Sequence, residues 1–214
     1  KQLINNFTFL VEHKGRWQHR PFFMTVQKDG TDKNGNYDLL LKHVADRKLR
    51  RIIDVGAWWG PWSLFWQPHA EKLEIFEPNE KIFSMLEHNI SKYTNCSLHR
   101  TALGESKGKV SMEYDTHSGT NHVVGYSGDI ELRDLDSYNF DQVDVLKIDV
   151  EGYEISVLKG AEQTIKKNRP VIQIEGNSAG KRYGLHKKQI MELLTSWGLT
   201  RVEKKWPDQI WLFN

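Results

Sequence analysis

Ile52-Ile53-Asp54-Val55-Gly56-Ala57-Trp58-Trp59-Gly60 is the stretch that decides the reading of this chain. An apolar run closes on an acid and a glycine, and a proline follows at Pro61. The pattern predicts a buried strand over Arg51–Gly56, a tight turn, and a short helix from Pro61, because proline suits a first helical turn. In open α/β sheets, ligands sit beyond the carboxyl ends of such strands. Glycine at 56 lets the main chain approach a ligand where a side chain would stand in the way. Gly60 lets the turn fold onto the helix start. The glycine spacing is not that of a dinucleotide site, and no Gly-Lys-Ser/Thr of a phosphate loop is present. A pyrophosphate cradle is therefore not expected. A neutral or cationic nucleoside fits better, with Asp54, Gly56, Ala57, Trp58, Trp59, Gly60 and Ser63 as candidate contacts.

Two further strand ends extend this site. Ile75-Phe76-Glu77-Pro78 closes the next strand, Leu73–Glu77, with an acid that follows Gly56 by about 20 residues, the offset at which a carboxylate takes ribose hydroxyls. The alternative for Glu77 is a surface acid at a strand end, and for Asp54 a turn cap. The third strand, Ser97–Leu103, ends in Thr101-Ala102-Leu103-Gly104, where a base would lie against Thr101 and Ala102.

Outside these strand ends, the chain alternates. Phe7–Glu12 and Phe22–Gln27 read as an antiparallel pair around Lys14-Gly15, and Asp29–Asn36 as a loop. Tyr37–Leu49 has helical spacing. Asn79 is a natural N-cap for a helix to Tyr93, with Ile82, Met85, Leu86 and Ile90 on one face. Lys109–Tyr114 reads as an added strand and Asp115–Gly128 as a loop. Asp144–Val150 is a buried strand, followed by a helix over Gly152–Lys167. Pro170–Glu175 is a further strand and His186–Trp197 a helix. Leu199–Glu203 and Gln209–Phe213 are two strands too closely connected to be parallel. The whole implies a mainly parallel sheet with helices on both faces and an antiparallel strand at its C-terminal end, with residues 1–36 as an N-terminal β extension and 37–214 as the main domain.

The 214 residues suit one such domain. A net charge of +2 gives no case for a nucleic-acid partner, and the short basic clusters read as solvated helix ends. Cys96 alone cannot form an internal disulfide, so nothing points to an oxidising compartment, and the cytoplasm is expected. No apolar run approaches a membrane span.

These residues resemble the FkbM methyltransferase family. The resemblance rests on Asp54-Val55-Gly56-Ala57 with Gly60 and Ser63, on Phe76-Glu77-Pro78, and on Ala102-Leu103-Gly104. It continues through Leu135-Asp136-Ser137, the run Leu146-Lys147-Ile148-Asp149-Val150-Glu151-Gly152-Tyr153-Glu154, and Val157-Leu158-Lys159-Gly160-Ala161, and closes on Pro170 to Glu175. It implies a Rossmann-like class I methyltransferase fold with a seven-stranded sheet, the use of S-adenosylmethionine, and O-methylation of a sugar, glycan or natural-product-like acceptor. One departure is Trp58, where the family usually carries asparagine. Trp58, Trp62 and Trp66 are four apart and would share a helix face. They either pack on the sheet or form an aromatic wall beside a sulfonium.

The acceptor side follows from the later strands. An alcohol needs its proton removed as the new bond forms. Asp149 ends the fourth strand and also counts among the cofactor contacts, and Glu151 lies two residues on. Either could be the base, as could His122 or His117 from the polar loop; plain surface histidines and an N-terminal helix acid are the bland alternatives. A second arrangement places a hard divalent cation, magnesium, on Asp149, Glu175 and Asn177. An N-methyltransferase and a non-catalytic nucleoside-binding scaffold are the rival functions. The acceptor and the oligomeric state are not readable from these residues.

Overall fold

The computed structural model describes residues 2–13, 16–26, 36, 39–44, 47–113, 122–176 and 179–214. Gln2–His13 (β1) and Arg16–Val26 (β2) pair antiparallel as a sheet of their own. The expected turn at Lys14-Gly15 and most of the Asp29–Asn36 loop lie outside the described residues. Of the helix expected over Tyr37–Leu49, the described residues show one turn, Leu41–Val44 (α1), with residues 37–38 and 45–46 outside them, and Leu49 already opens a strand.

The main sheet is built from Leu49–Val55 (β3), Ala70–Phe76 (β4), Cys96–His99 (β5), Val143–Ile148 (β9), Val171–Glu175 (β10), Leu199–Lys205 (β11) and Asp208–Phe213 (β12). Its order is β11-β12-β10-β9-β3-β4-β5. All neighbours are parallel except β12, which runs against both β10 and β11. This is the mainly parallel sheet with an antiparallel C-terminal strand that the residue pattern implies, and the seven strands are those that the family resemblance implies. The order reverses at β3, whose neighbours are β4 and β9, and that is where a crevice opens at the carboxyl ends of the strands.

Pro61–Trp66 (α2) and Glu80–Ile90 (α3) cover one face. Their core joins Ile52, Leu73, Ile75 and Val145 to Trp62, Trp66, Met85, Leu86 and Ile90. Asn79 caps α3 as expected, its side chain accepting from Lys81 N at 3.0 Å and Ile82 N at 3.2 Å. Glu154–Lys159 (α4), Glu162–Asn168 (α5) and Lys187–Ser196 (α6) belong to the other face. There Ile53, Leu146, Ile148 and Ile172 meet Leu158, Ile165, Ile190 and Leu194. The single helix expected over Gly152–Lys167 is thus two. It breaks beside Gly160, where a Cβ would lie 1.8 Å from the Gly104 carbonyl oxygen. Close contact with the Gly104 main chain, not helix propensity, decides that break.

Ala102–Leu103 (β6), Gly108–Glu113 (β7) and His122–Arg133 (β8) form a separate three-stranded sheet in the order β6-β8-β7. Two expectations change here. The third strand is two short ones in different sheets, with Arg100 and Thr101 between them. The loop expected over Asp115–Gly128 is strand from His122 onward, because β7 offers it an antiparallel partner that local polarity does not reveal. His117 lies outside the described residues. Among the described residues, no helix is long and apolar enough to cross a membrane.

Candidate functional site

Four strand ends are tied into one rim. Gly56 N and Ala57 N both donate to Phe76 O, at 3.0 and 3.1 Å. Asp149 N donates to Val55 O at 3.0 Å, and Glu77 N to His99 O at 3.1 Å. The ends of β3, β4, β5 and β9 therefore lie side by side. Above them is a cleft with about 880 Å³ of empty space, its open mouth included.

The lining divides by element. Val55, Gly56 and Trp58 come from the β3 turn, and Phe76, Glu77 and Pro78 from β4. Thr101, Ala102 and Leu103 follow β5. Asp149, Val150, Glu151 and Tyr153 follow β9, and Met112, His122 and Val123 form the wall on β7 and β8. Asp54, Ala57, Trp59, Gly60 and Ser63, expected as cofactor contacts, lie outside this lining.

Each of the five has another place. Asp54 is wholly buried and accepts from Ser63 Oγ at 2.7 Å. Trp59 gives its carbonyl to Asn89 Nδ2 at 2.9 Å. Gly60 has φ of 95° at the start of α2, and a Cβ there would meet Leu86 Cδ1 at 2.8 Å. It folds the turn onto the helix start, as expected, and also admits α3. Gly60 N donates to Ala57 O at 2.9 Å.

Gly56 lines the cleft, but its missing side chain serves the fold. A Cβ would lie 1.9 Å from the Asp149 carbonyl oxygen, and φ is 79°. The donors of residues 56, 57 and 58 are all bonded within the protein, Trp58 N to Glu77 Oε2 at 2.9 Å. The bare carbon at 56 is thus needed for packing against Asp149, and Gly56 and Trp58 are both part of the cleft lining. The shared helix face also fails for Trp58. It precedes α2 in a left-handed conformation with φ of 54°, while Trp62 and Trp66 are buried in the core with ring centroids 5.6 Å apart.

Glu77 is 7% exposed. Its Oε1 accepts from Asn79 N and its Oε2 from Trp58 N, both at 2.9 Å. Burial pushes its pKa up from 4.5 to about 7, against those two N–H groups and the Lys147 ammonium, which favour the charged form. A carboxylate has about four lone-pair positions, so two remain for a ligand in the cleft it lines. A bifurcated donor pair such as a ribose diol fits that geometry.

At the other end of the cleft stand the acids after β9. The Asp149 side chain is 39% exposed, and its Oδ2 lies 3.6 Å from Lys147 Nζ. Glu151 has φ of 54°. Burial, then Asp149 and Glu154 nearby, raise its pKa to about 7. Oxygens of Asp149, Glu151 and Glu175 lie within 4.8 Å of one another. Of the three expected metal ligands this brings Asp149 and Glu175 together, adds Glu151, and leaves Asn177 outside the described residues. His122 Nε2 is 3.4 Å from Glu113 Oε2 across β7 and β8.

Two residues escape a sequence reading of the site. Lys147, 6% exposed, reaches from β9 to Gly56 O at 3.0 Å and Asp54 Oδ1 at 3.1 Å. The first contact is an aligned hydrogen bond. The second is an ion pair without that alignment, since Asp54 Oδ1 has no hydrogen-bond partner. Burial draws the lysine pKa down, but the Asp54 and Asp149 carboxylates overcome this and hold it above the ordinary value. Its signal was a cation inside an apolar strand, which must find buried partners. Glu154, 4% exposed, gathers the loop that carries Glu151, accepting from Gly152 N at 2.9 Å and Val150 N at 3.3 Å.

The FkbM methyltransferase domain matches residues 54–198, more than half of the chain. Among curated proteins no sequence matches. Among solved structures, the FkbM methyltransferase of Methylobacillus flagellatus KT superposes with a TM-score of 0.54 at 18% identity, covering 78% of this chain and 44% of that one. This chain thus spans less than half the length of that protein. The precorrin-6y C5,15-methyltransferase of Geobacter metallireducens GS-15 gives 0.52 at 10% identity, over 89% and 94% of the two chains. The precorrin 8w decarboxylase of Methanobacterium thermoautotrophicum gives 0.51 at 13%, over 83% and 89%. At these identities the three likenesses are likenesses of fold.

Proposed function

The chain belongs to the FkbM methyltransferase family, and on that premise we propose that it methylates a hydroxyl of a sugar, glycan or natural-product-like acceptor with S-adenosylmethionine as donor. The observation that carries this reading is the cleft itself. A buried acid, Glu77, stands at one end and the acids Asp149 and Glu151 at the other, across adjoining strand ends.

The donor supplies an electrophilic methyl group on a sulfonium. Glu77 would accept from the ribose hydroxyls, while Pro78, Thr101 and Ala102 would line the base. Glu151, with its pKa near 7, is matched to take the acceptor proton close to neutrality, and Asp149 beside it raises that proton affinity. Met112, His122 and Val123 close the acceptor side. Holding the acceptor oxygen in line with the methyl can supply several kcal/mol of the barrier, on the order of 7–11 kcal/mol at best. Residues 37–214 are read as the catalytic domain and the β1–β2 hairpin as an addition to it.

One observation favours a second arrangement. The three neighbouring carboxylates offer hard oxygen ligands, which suits magnesium holding the acceptor oxygen.

Calorimetry with S-adenosylmethionine, S-adenosylhomocysteine and NAD tests the cofactor; binding of NAD alone rejects the reading. Release of S-adenosylhomocysteine with panels of hydroxyl and amine acceptors tests the reaction. Turnover with amines alone makes it an N-methyltransferase, and none with either panel supports a scaffold. Turnover abolished by EDTA and restored by magnesium selects the metal arrangement.

A further inference from the structure

Trp58 holds a backbone conformation that its side chain disfavours. Its φ of 54° lies in the left-handed region, where the Cβ of most L-residues crowds the following carbonyl and only glycine, asparagine and aspartate are at ease. The turn imposes that conformation. The N–H groups of residues 56 and 57 converge on Phe76 O, that of Trp58 is fixed on Glu77, and Gly60 N closes on Ala57 O. An asparagine would fit the same turn with less strain.

Core packing accounts for only part of the indole: Trp58 packs against the edge of the core under α2 and also lines the cleft. Trp59, Trp62 and Trp66 are 8%, 3% and 0% exposed and belong to the core under α2. Trp58 is half-buried and lines the cleft. Its ring leans on Trp59, with centroids 4.8 Å apart and planes at 55°, so one aromatic ring backs the other. Strained residues that persist cluster where a side chain meets a ligand.

The position of Trp58 along the cleft identifies what it meets. Its own N–H is on Glu77, at the ribose end. Two residues earlier, Gly56 abuts the main chain of Asp149, at the acceptor end. With the donor lying as proposed above, ribose on Glu77 and methyl toward Asp149, the part that spans this interval carries the sulfonium. A cation over an indole face is attracted by the ring quadrupole, and tryptophan is the strongest such partner. In methyl transfer the carbon–sulfur bond breaks with its electron pair left on sulfur. The acceptor oxygen bonds to the methyl carbon and gives up its proton to the base. The donor is therefore a cation at this point and the product a neutral thioether.

We propose that Trp58 sets the cofactor preference of this cleft, its indole favouring the sulfonium donor over the thioether product. The proposal rests on reading the cleft as the S-adenosylmethionine site. Its consequence is functional: the ring holds the donor and releases its hold once the methyl has gone.

The experiment compares affinities of S-adenosylmethionine and S-adenosylhomocysteine by calorimetry for the wild type, Trp58→Asn and Trp58→Phe, alongside the melting temperature of each unliganded protein. In Trp58→Asn the donor is expected to lose about three- to tenfold in affinity and the product no more than about twofold, while the protein melts within a few degrees of the wild type. Trp58→Phe, which keeps a weaker ring in the same place, is expected to give an intermediate ratio. Equal losses for both ligands, or an unchanged ratio, would overturn the proposal. If Trp58→Asn does not melt cooperatively, Trp58→Phe decides: a ratio equal to the wild type's overturns the proposal and a reduced one supports it. Failure of the wild type to bind either ligand overturns the reading of the cleft instead, which keeps the two failures distinct.

Discussion

Lys147 Nζ stands 3.1 Å from Asp54 Oδ1 across adjacent parallel strands, with the two side chains 7% and 0% exposed. In the strand register Asp54 faces Lys147, and Lys147 faces Gln173. The three form a polar row on the α2 face of the sheet, joined by Trp62 Nε1, which donates to Gln173 Oε1 at 3.3 Å. The lysine is the member that reaches the site, through Gly56 O and Asp149.

Removing one member of a buried ion pair leaves the other charge without its counter-ion, which costs about 3–5 kcal/mol, whereas replacing both by neutral groups of similar volume is close to neutral. Lys147→Met is therefore expected to melt far below the wild type, and Asp54→Asn/Lys147→Met to recover most of the loss in chemical denaturation. A double variant as unstable as the single would show that the ion pair is not what the lysine contributes.

Gly56→Ala places a Cβ 1.9 Å from the Asp149 carbonyl at a φ of 79°. The expected loss is about 2–4 kcal/mol from overpacking and left-handed strain, or roughly 5–15 °C in melting temperature. Because the displaced main chain carries Asp149, affinity for S-adenosylhomocysteine is expected to fall as well. Gly108→Ala, where the added carbon meets nothing within 4 Å, is the control and is expected to melt with the wild type.

Glu77 gives the binding a pH dependence. Its carboxyl, raised from 4.5 to about 7 by burial, is about half protonated in the free protein near neutrality. Ribose hydroxyls donate to the charged form, so binding pulls the pKa down and expels a proton. Affinity for S-adenosylhomocysteine is expected to rise between pH 6 and 8 and then level, with proton release visible in calorimetry across buffers of different ionisation enthalpy. Stability of the free protein runs the other way. A carboxyl raised on folding contributes fully below 4.5, and that contribution is lost as the pH rises through 7. The melting shift caused by the ligand should thus be larger at pH 8 than at pH 6. In Glu77→Gln, binding is expected to be weaker, and flat in this range if Glu77 is its source.

Glu154→Ala removes the acceptor of Gly152 N and Val150 N. Buried donors left without a partner cost about 1–3 kcal/mol. The variant is expected to lower the melting temperature by several degrees, and to speed amide exchange at residues 150 and 152 beyond any change in the core strands. Unchanged exchange at those two amides would remove Glu154 from the role of loop anchor.

Much of the architecture can be read locally. Pro61 opens α2 and Asn79 caps α3, because those residues act on their immediate neighbours. The buried strands around Ile52, Ile75 and Leu146 declare themselves by unbroken apolar runs, and the short link between β11 and β12 admits only antiparallel pairing. The helix break beside Gly160 and the strand at His122 are not local. One is decided by the Gly104 main chain and the other by the offer of a partner in β7.

The sequence by itself determined the strand-turn-helix at 52–66, the acid at the next strand end and the alternation of strand and helix, since hydrophobic period, glycine and proline act over a few residues. Only the tertiary structure decided which groups of that turn meet the cleft. Asp54 and Ser63 lie on the core side of a strand whose end is a wall of the site, and Gly56 is bare because Asp149 needs the space. Trp58 leaves the helix face it was expected to share, because a left-handed turn rotates it into the cleft. Spacing along a chain specifies neighbours, but the direction of a side chain depends on backbone rotation and on which other main chain already occupies the space beside it.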